Sequence, residues 1–404
     1  MKTNTRVLLS VMMFLEYFVW SAWYVTMGTY MSENLHSSGL QIGAAYSALA
    51  IATMISPFFV GLVADKYFAA QKIMGVLHIL GAVLLFIATM IQDNTIFYIV
   101  ILLYSLLYMP TIALSNSIAF AQMTDPGKQF PWVRVFGTVG WIVAGFLIGT
   151  LAIEKTSNTF VMAAGVSAIL GLLSFALPNT PPVGKKSATA SSALGTEAFV
   201  LFKNPPYLVF FIAAILVCIP LSFYYGFANL FLNEVGMENA AGKMILGQVS
   251  EAVFILAIPF LFNSIGVKKM LLLGMIAWIL RYICFAYGDS GSNLWMLYAG
   301  IILHGICYDF FFVTGYMYTE KKAGEKIKSA AQGLFTFATY GLGMFIGTWV
   351  SGFVTNNYTQ NNVHDWKSIW FVPAYVAVGV IIYFLLFFRE KKEIRAAGAP
   401  LTSV

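Results

Sequence analysis

PNTPPVGKKSATASS, residues 178–192, opens the longest polar connection in a chain that is otherwise apolar almost throughout. Its proline, serine and lysine content marks a linker, and the polar stretch runs on to residue 205. Crossing a hydrocarbon core as a helix takes about 20 apolar residues. Six stretches of that kind precede the linker, at 7–31, 41–64, 73–91, 95–121, 131–153 and 158–177, and six follow it, at 206–232, 244–264, 270–288, 293–319, 329–354 and 367–388. The linker therefore divides twelve expected spans six and six. Unpaired backbone groups are too costly in lipid for anything but helices or closed barrels, and the alternating pattern of a barrel strand is missing. The fold expected is an all-α polytopic membrane protein of twelve transmembrane helices in two pseudo-symmetric six-helix halves. Its parts would be an N-terminal bundle (1–177), a linker (178–205), a C-terminal bundle (206–389) and a tail (390–404).

Composition agrees. The 404 residues are 59% hydrophobic and 10% charged, where a soluble domain carries about 25% charged residues. The net charge of +6 is explained by topology. With both termini and the even-to-odd connections on one side, 18 of the 23 lysines and arginines fall there. Lys155, Lys243 and Lys367 fall on the other side, and Arg134 and Arg281 lie within spans. That bias predicts cytoplasmic termini and leaves no excess of charge to explain by nucleic acid. The first span is too long for a signal-peptide core and is expected to be retained. Cys218, Cys284 and Cys307 read as buried small hydrophobes, with neither disulfide nor metal spacing. No H-E-x-x-H, G-x-S-x-G or P-loop occurs, so neither a zinc or serine hydrolase nor an ATP-driven pump is expected, and no cofactor.

The halves echo each other. GFLIGT (145–150) recurs as GMFIGT (343–348), and Tyr104 and Tyr108 match His304 and Tyr308 in spacing. Secondary transporters commonly bind solute between such repeats. Five ionisable residues fall well inside spans: Glu16, Arg134, Glu251, Arg281 and Asp309. Each costs about 2.5–3.5 kcal/mol if charged at a helix centre, so each should face the interior or a watery cavity. Three acids against two bases leave one carboxylate without a local partner, and such a group is a candidate proton carrier. Helical spacing groups Arg134, Thr138 and Trp141 on one face, and likewise Glu16, Trp20 and Trp23, Gln248 and Glu251, Ser222 and Tyr225, and His304 and Tyr308. Aromatic rings with an amide, a carboxylate and a guanidinium suit a hydroxylated solute bearing an aromatic ring.

GLVADK at 61–66 resembles the G-x-x-x-D-[RK] signature of the major facilitator superfamily, with NSIGVKK at 263–269 as a degenerate counterpart. SAWYVTMGTYM (21–31), RVFGTVGW (134–141), SEAVFILAIPF (250–260), AWILRYICFAYGD (277–289) and YDFF (308–311) together resemble the nucleoside:H⁺ symporters of bacterial inner membranes over essentially the whole length. The resemblance implies nucleoside uptake driven by protons through alternating access. It implies a substrate site at Arg134, Thr138, Trp141, Gln248 and Glu251, with Asp309 as the span 10 acid. Ser222, Tyr225, His304 and Tyr308 occupy further site positions, where the chain departs from the family's Gln, Asn, Tyr and Phe. Glu16 replaces a glutamine and rivals Asp309 as proton carrier, while Arg281 is the base that Asp309 would meet. Protons, a nucleoside-like solute and the bilayer are the expected partners, with the chain acting as a monomer. A permease for a modified nucleoside, sugar or glycoside is the alternative, and an intramembrane enzyme or transporter-like sensor a more distant one.

Overall fold

The computed structural model describes residues 2–59, 67–182 and 196–389. The GLVADK motif and most of the linker and tail lie outside the described residues. The chain is helical almost throughout. The first half comprises α1 (Thr3–Tyr24), α2 (Met27–Asn34), α3 (Gly39–Phe59), α4 (Ala70–Ala88), α5 (Asn94–Ala121), α6 (Pro126–Thr150) and α7 (Asn158–Ser174). The second comprises α8 (Pro205–Glu234), α9 (Ala240–Ile265), α10 (Val267–Tyr287), α11 (Leu294–Tyr308), α12 (Thr314–Thr336), α13 (Met344–Asn357) and α14 (Trp366–Phe387). Among the described residues, eleven helical segments are long and apolar enough to cross a membrane, and the shorter α7 makes the twelfth crossing. Large apolar side chains such as Leu172, Leu256 and Phe260 stand exposed on the outside, as expected of helices whose solvent is lipid.

Polar residues at the span ends set the starts. Asp93 accepts hydrogen bonds from Thr95 N and Ile96 N, Asp125 from Lys128 N ahead of α6, and Asn204 from Tyr207 N ahead of α8. Pro126 and Pro205 follow the last two caps, at the position where a missing N–H costs nothing. The turn between the tenth and eleventh crossings falls inside α12, at Gly324 (φ +65°) and Ile327. A side chain at Gly324 would be strained there.

Three features depart from uniform spans. The first crossing breaks at Val25–Thr26, between α1 and α2. Widened π-turns occupy Asp309–Val313 and Phe337–Gly343 and join α11 to α12 and α12 to α13. A small hairpin pairs β1 (Thr359–Gln360) with β2 (Val363–His364), and Glu234 at the end of α8 holds it through His364 and Trp366. Cys218 and Cys307 are buried, while Cys284 is only half-buried.

The halves meet along three seams: α2 on α8, α3 on α13 and α6 on α9. Glycines make them. Gly28 leaves no room for a Cβ beside the Gly226 carbonyl, and Gly39 and Gly43 pack against the backbone of Gly352. Gly149 is equally tight against Asn239 and the Gly242 nitrogen of the other half. All of these lie near one end of the bundle, the end opposite the termini. A polar latch crosses the same seal. Glu154, buried in the connection after α6, accepts from Asn229 Nδ2 (3.0 Å) and Ala241 N (2.8 Å) of the other half. Asn229 Oδ1 in turn accepts from Thr29 Oγ1 at 2.6 Å. Hydrogen bonds to a charged group contribute about 1.5–3 kcal/mol each. Glu154→Ala is therefore expected to loosen the seal. Spin labels at the exposed positions His36 and Ser290, one on each half at this face, should show a new, longer distance population in the variant. An unchanged distribution would mean that the glycine seams alone hold the face shut.

Candidate functional site

Between the halves, on the termini side of the seal, lies a cavity of about 540 Å³, within the range of small-molecule sites. α6 contributes Arg134, Thr138 and Trp141 to its wall, and α9 contributes Gln248 and Glu251. Tyr225 of α8 and Tyr308 of α11 complete the residues expected from the sequence. Helical spacing explains the grouping, because residues three or four apart share a face. The Arg134 guanidinium sits 4.0 Å over the ring of Tyr17, a cation–π contact. Trp20 and Trp141 meet edge-on at 5.6 Å. Tyr225 packs on Tyr24 at 5.5 Å, and Tyr24 on Tyr46 at 5.1 Å. Tyr46 OH accepts from Gly28 N and donates to Tyr24 O, which fixes these rings at the sealed end of the cavity.

Two expected residues stand behind the wall. Ser222 is buried, donates to Cys218 O at 2.8 Å and packs against Met344 Sδ. His304 is buried with its ring stacked on Tyr224 at 5.0 Å. Its Nδ1 is 3.0 Å from Nη1 of Arg281. A guanidinium can only donate, so Nδ1 is the acceptor and the ring proton sits on Nε2. That Nε2 lacks a hydrogen-bond partner among the described residues and faces Glu251 Oε2 at 3.8 Å. Arg281, also buried, lies 3.5 Å over the Tyr224 ring. It reaches the cavity through its neighbours, by way of His304 to Glu251 and of Tyr224 to Tyr225.

Asp309 opens the first π-turn. It is buried, and neither carboxylate oxygen has a hydrogen-bond partner among the described residues. The expected Asp309–Arg281 contact is not formed: Arg281 bonds His304 through Nη1 and lies over Tyr224, and its Nε and Nη2, like both Asp309 oxygens, lack a partner among the described residues. Glu16 points away from the cavity into the first half, where its Oε2 lies 2.9 Å from Nε2 of His78.

Several wall residues escaped sequence reasoning: Tyr17, Tyr24, Tyr46, Asn116, Tyr316 and Tyr340. Tyr340 belongs to the second π-turn, and its hydroxyl bonds that of Tyr308. Only the aromatic character of their spans hinted at them. Asn116 lines the cavity, with its buried Oδ1 unpartnered among the described residues.

The family model described as nucleoside H⁺ symporter matches residues 1–393. The chain belongs to the nucleoside H⁺ symporter family. It is 41% identical to the putative nucleoside transporter YegT of Escherichia coli K12, over 96% of this chain and 95% of that one. It is 36% identical to the xanthosine permease of the same organism, over 95% and 96%. The crystal structure of the nucleoside transporter NupG superposes with a TM-score of 0.89 at 34% identity, covering 96% of this chain and all of that one. Membership makes the chain a multi-pass membrane transporter and not an enzyme, and the twelve helices form the two six-helix halves of the major facilitator fold.

Proposed function

We propose that this family member imports nucleosides with protons across a bacterial inner membrane, by alternating access between two bundles comprising residues 1–177 and 206–389. The observation that carries the reading is one cavity shared by both halves. An amide and a carboxylate (Gln248, Glu251) from one half sit there with a guanidinium and a hydroxyl (Arg134, Thr138) from the other, among Trp141, Tyr225 and Tyr308. A nucleobase offers donors and acceptors at its edge and a flat apolar face; an amide pairs bidentately with the edge, and aromatic rings stack on the face. Ribose hydroxyls suit the remaining polar groups. Ser222 and His304 act on this wall from behind.

The proton is assigned to Asp309, which meets Arg281 in another state of the cycle. The charge bias of the connections places the termini, the linker and the tail in the cytoplasm. On that placement the sealed face is periplasmic, and the cavity belongs to a cytoplasm-facing state. The carrier acts as a monomer.

Proteoliposomes test the reading. An imposed gradient, acidic on the periplasmic side, is expected to drive labelled uridine or xanthosine to several-fold accumulation. Nucleosides should compete with the uptake better than sugars. Competition by a sugar or glycoside alone would replace the nucleoside with that solute. Accumulation indifferent to the pH gradient would remove symport.

A further inference from the structure

We propose that Glu16 and His78 form a proton-binding site inside the first half, separate from Asp309, and that its occupancy is linked to the Arg134 side of the cavity. Both residues are buried, as are Thr111 and Ser167, which complete their hydrogen bonds. Glu16 Oε2 lies 2.9 Å from His78 Nε2, and Glu16 Oε1 accepts from Thr111 Oγ1 at 2.7 Å. On the far side of the imidazole, Ser167 Oγ is 3.1 Å from Nδ1 and 2.9 Å from the carbonyl oxygen of His78 itself.

Ser167 has one proton and two acceptors within reach, and this decides what the cluster can do. With its hydroxyl turned to the carbonyl, Ser167 accepts from Nδ1–H. The Glu16–His78 contact then holds a proton on the carboxyl, donated to Nε2, in addition to the one on Nδ1. With the hydroxyl turned to Nδ1, the imidazole keeps a single proton on Nε2 and donates it to an ionised Glu16. The two arrangements differ by one proton and one hydroxyl rotation, and in both the imidazole nitrogens are satisfied, while Glu16 Oε1 shares the Thr111 hydroxyl with the Tyr108 carbonyl at 2.6 Å. A buried polar cluster is costly when any member is left unpaired. This one can release a proton to water without that penalty, changing only the net charge.

The net charge reaches the cavity wall in one step along α1. Glu16 adjoins Tyr17, whose ring carries the Arg134 guanidinium at 4.0 Å. The Glu16 carbonyl is held by Tyr108 OH at 2.7 Å, and the Tyr108 ring stands edge-on to His78 and to Trp20 on the cavity wall. The titratable and charged groups facing the pair among the described residues are Tyr17 on α1, Tyr104 and Tyr108 on α5, and Arg134 on α6 beyond Tyr17. Arg134 is the sole cation of that set. Emptying the site therefore strengthens the pull on Arg134 from behind the wall and weakens its hold on a solute.

Infrared difference spectroscopy of the full-length protein, stepped in pH without solute, reads the site directly. A carboxyl band and an imidazole band should appear and vanish together in the wild type and in Asp309→Asn, and be lost from Glu16→Gln. The amide of Glu16→Gln donates to Nε2 and accepts from Thr111, so it mimics the loaded state. His78→Gln should lose the paired bands as well and serves if Glu16→Gln does not fold. Paired bands persisting in the folded variants overturn the site. The linkage is read from uridine affinity against pH, where Glu16→Gln should lose a dependence of up to tenfold per pH unit. An unaltered dependence overturns the linkage. Failure of wild-type protein to bind either uridine or xanthosine overturns the nucleoside reading and leaves the infrared result standing.

Discussion

Asp309→Asn is expected to keep nucleoside exchange across a proteoliposome membrane while abolishing uphill accumulation. Asparagine has the shape of the neutral acid and does not titrate. Because neither Asp309 oxygen has a hydrogen-bond partner among the described residues, the amide breaks no existing bond, and the variant should fold. One unit of pH difference is worth about 1.36 kcal/mol per proton, enough for roughly tenfold accumulation with one coupled proton. In the variant the ratio should collapse to about one, while exchange of labelled for unlabelled nucleoside continues. Continued concentration under an imposed gradient would move coupling away from Asp309. Loss of folding along with transport would make the residue structural, which its lack of a contact with Arg281 speaks against.

Glu251→Ala should weaken nucleoside binding by roughly 5- to 150-fold, the equivalent of the ~1–3 kcal/mol lost when a buried partner is removed. Glu251 reaches the cavity from α9 one helical turn beyond Gln248, so both groups address the same edge of a solute. The alanine also takes away the carboxylate that faces His304 Nε2 at 3.8 Å. Isothermal titration calorimetry of the purified variant measures the effect. Glu251→Gln should recover most of the affinity if hydrogen bonding, rather than charge, dominates at this position. Full affinity in the alanine variant would place the solute elsewhere in the cavity.

The helical frame was legible because a span is a matter of length and polarity, both written plainly in the chain. Arg134, Thr138 and Trp141 were legible for a related reason: one helical period puts them together, and a guanidinium inside a span must have somewhere polar to go. Ser222 and His304 show the limit of that argument. Spacing says which residues share a helix face but not whether a neighbouring helix covers it, and here Met344, Tyr224 and Arg281 stand against them. The π-turns escaped because a one-residue surplus leaves no compositional mark. Tyr340, placed by the second of them, escaped with it. His78 is a different miss: a histidine in an apolar run was visible, but its partner Glu16 is 62 positions away. The repeated hexamers sit in different surroundings. Gly149 of GFLIGT abuts Asn239 across the halves, whereas Gly347 of GMFIGT packs against Ser222 and Cys218 within its own half.

The make-up of the seal bears on how fast such a carrier can run. Burying one large aliphatic side chain contributes about 1.5–3 kcal/mol, and a gate built of several would weight the closed conformer so heavily that the carrier would sit idle. Glycine backbones and a latch of one carboxylate (Glu154) with a few amide and hydroxyl groups make a different closure. Water can take over those bonds as the face parts, so the net difference per neutral bond is about 0.5–1.5 kcal/mol. The two conformers then have comparable Boltzmann weights, and a solute needs only a modest preference for one of them to tip the balance. Leucines in place of Gly39 and Gly43 would meet the α13 backbone and hold the seam apart, leaving a door that no longer shuts.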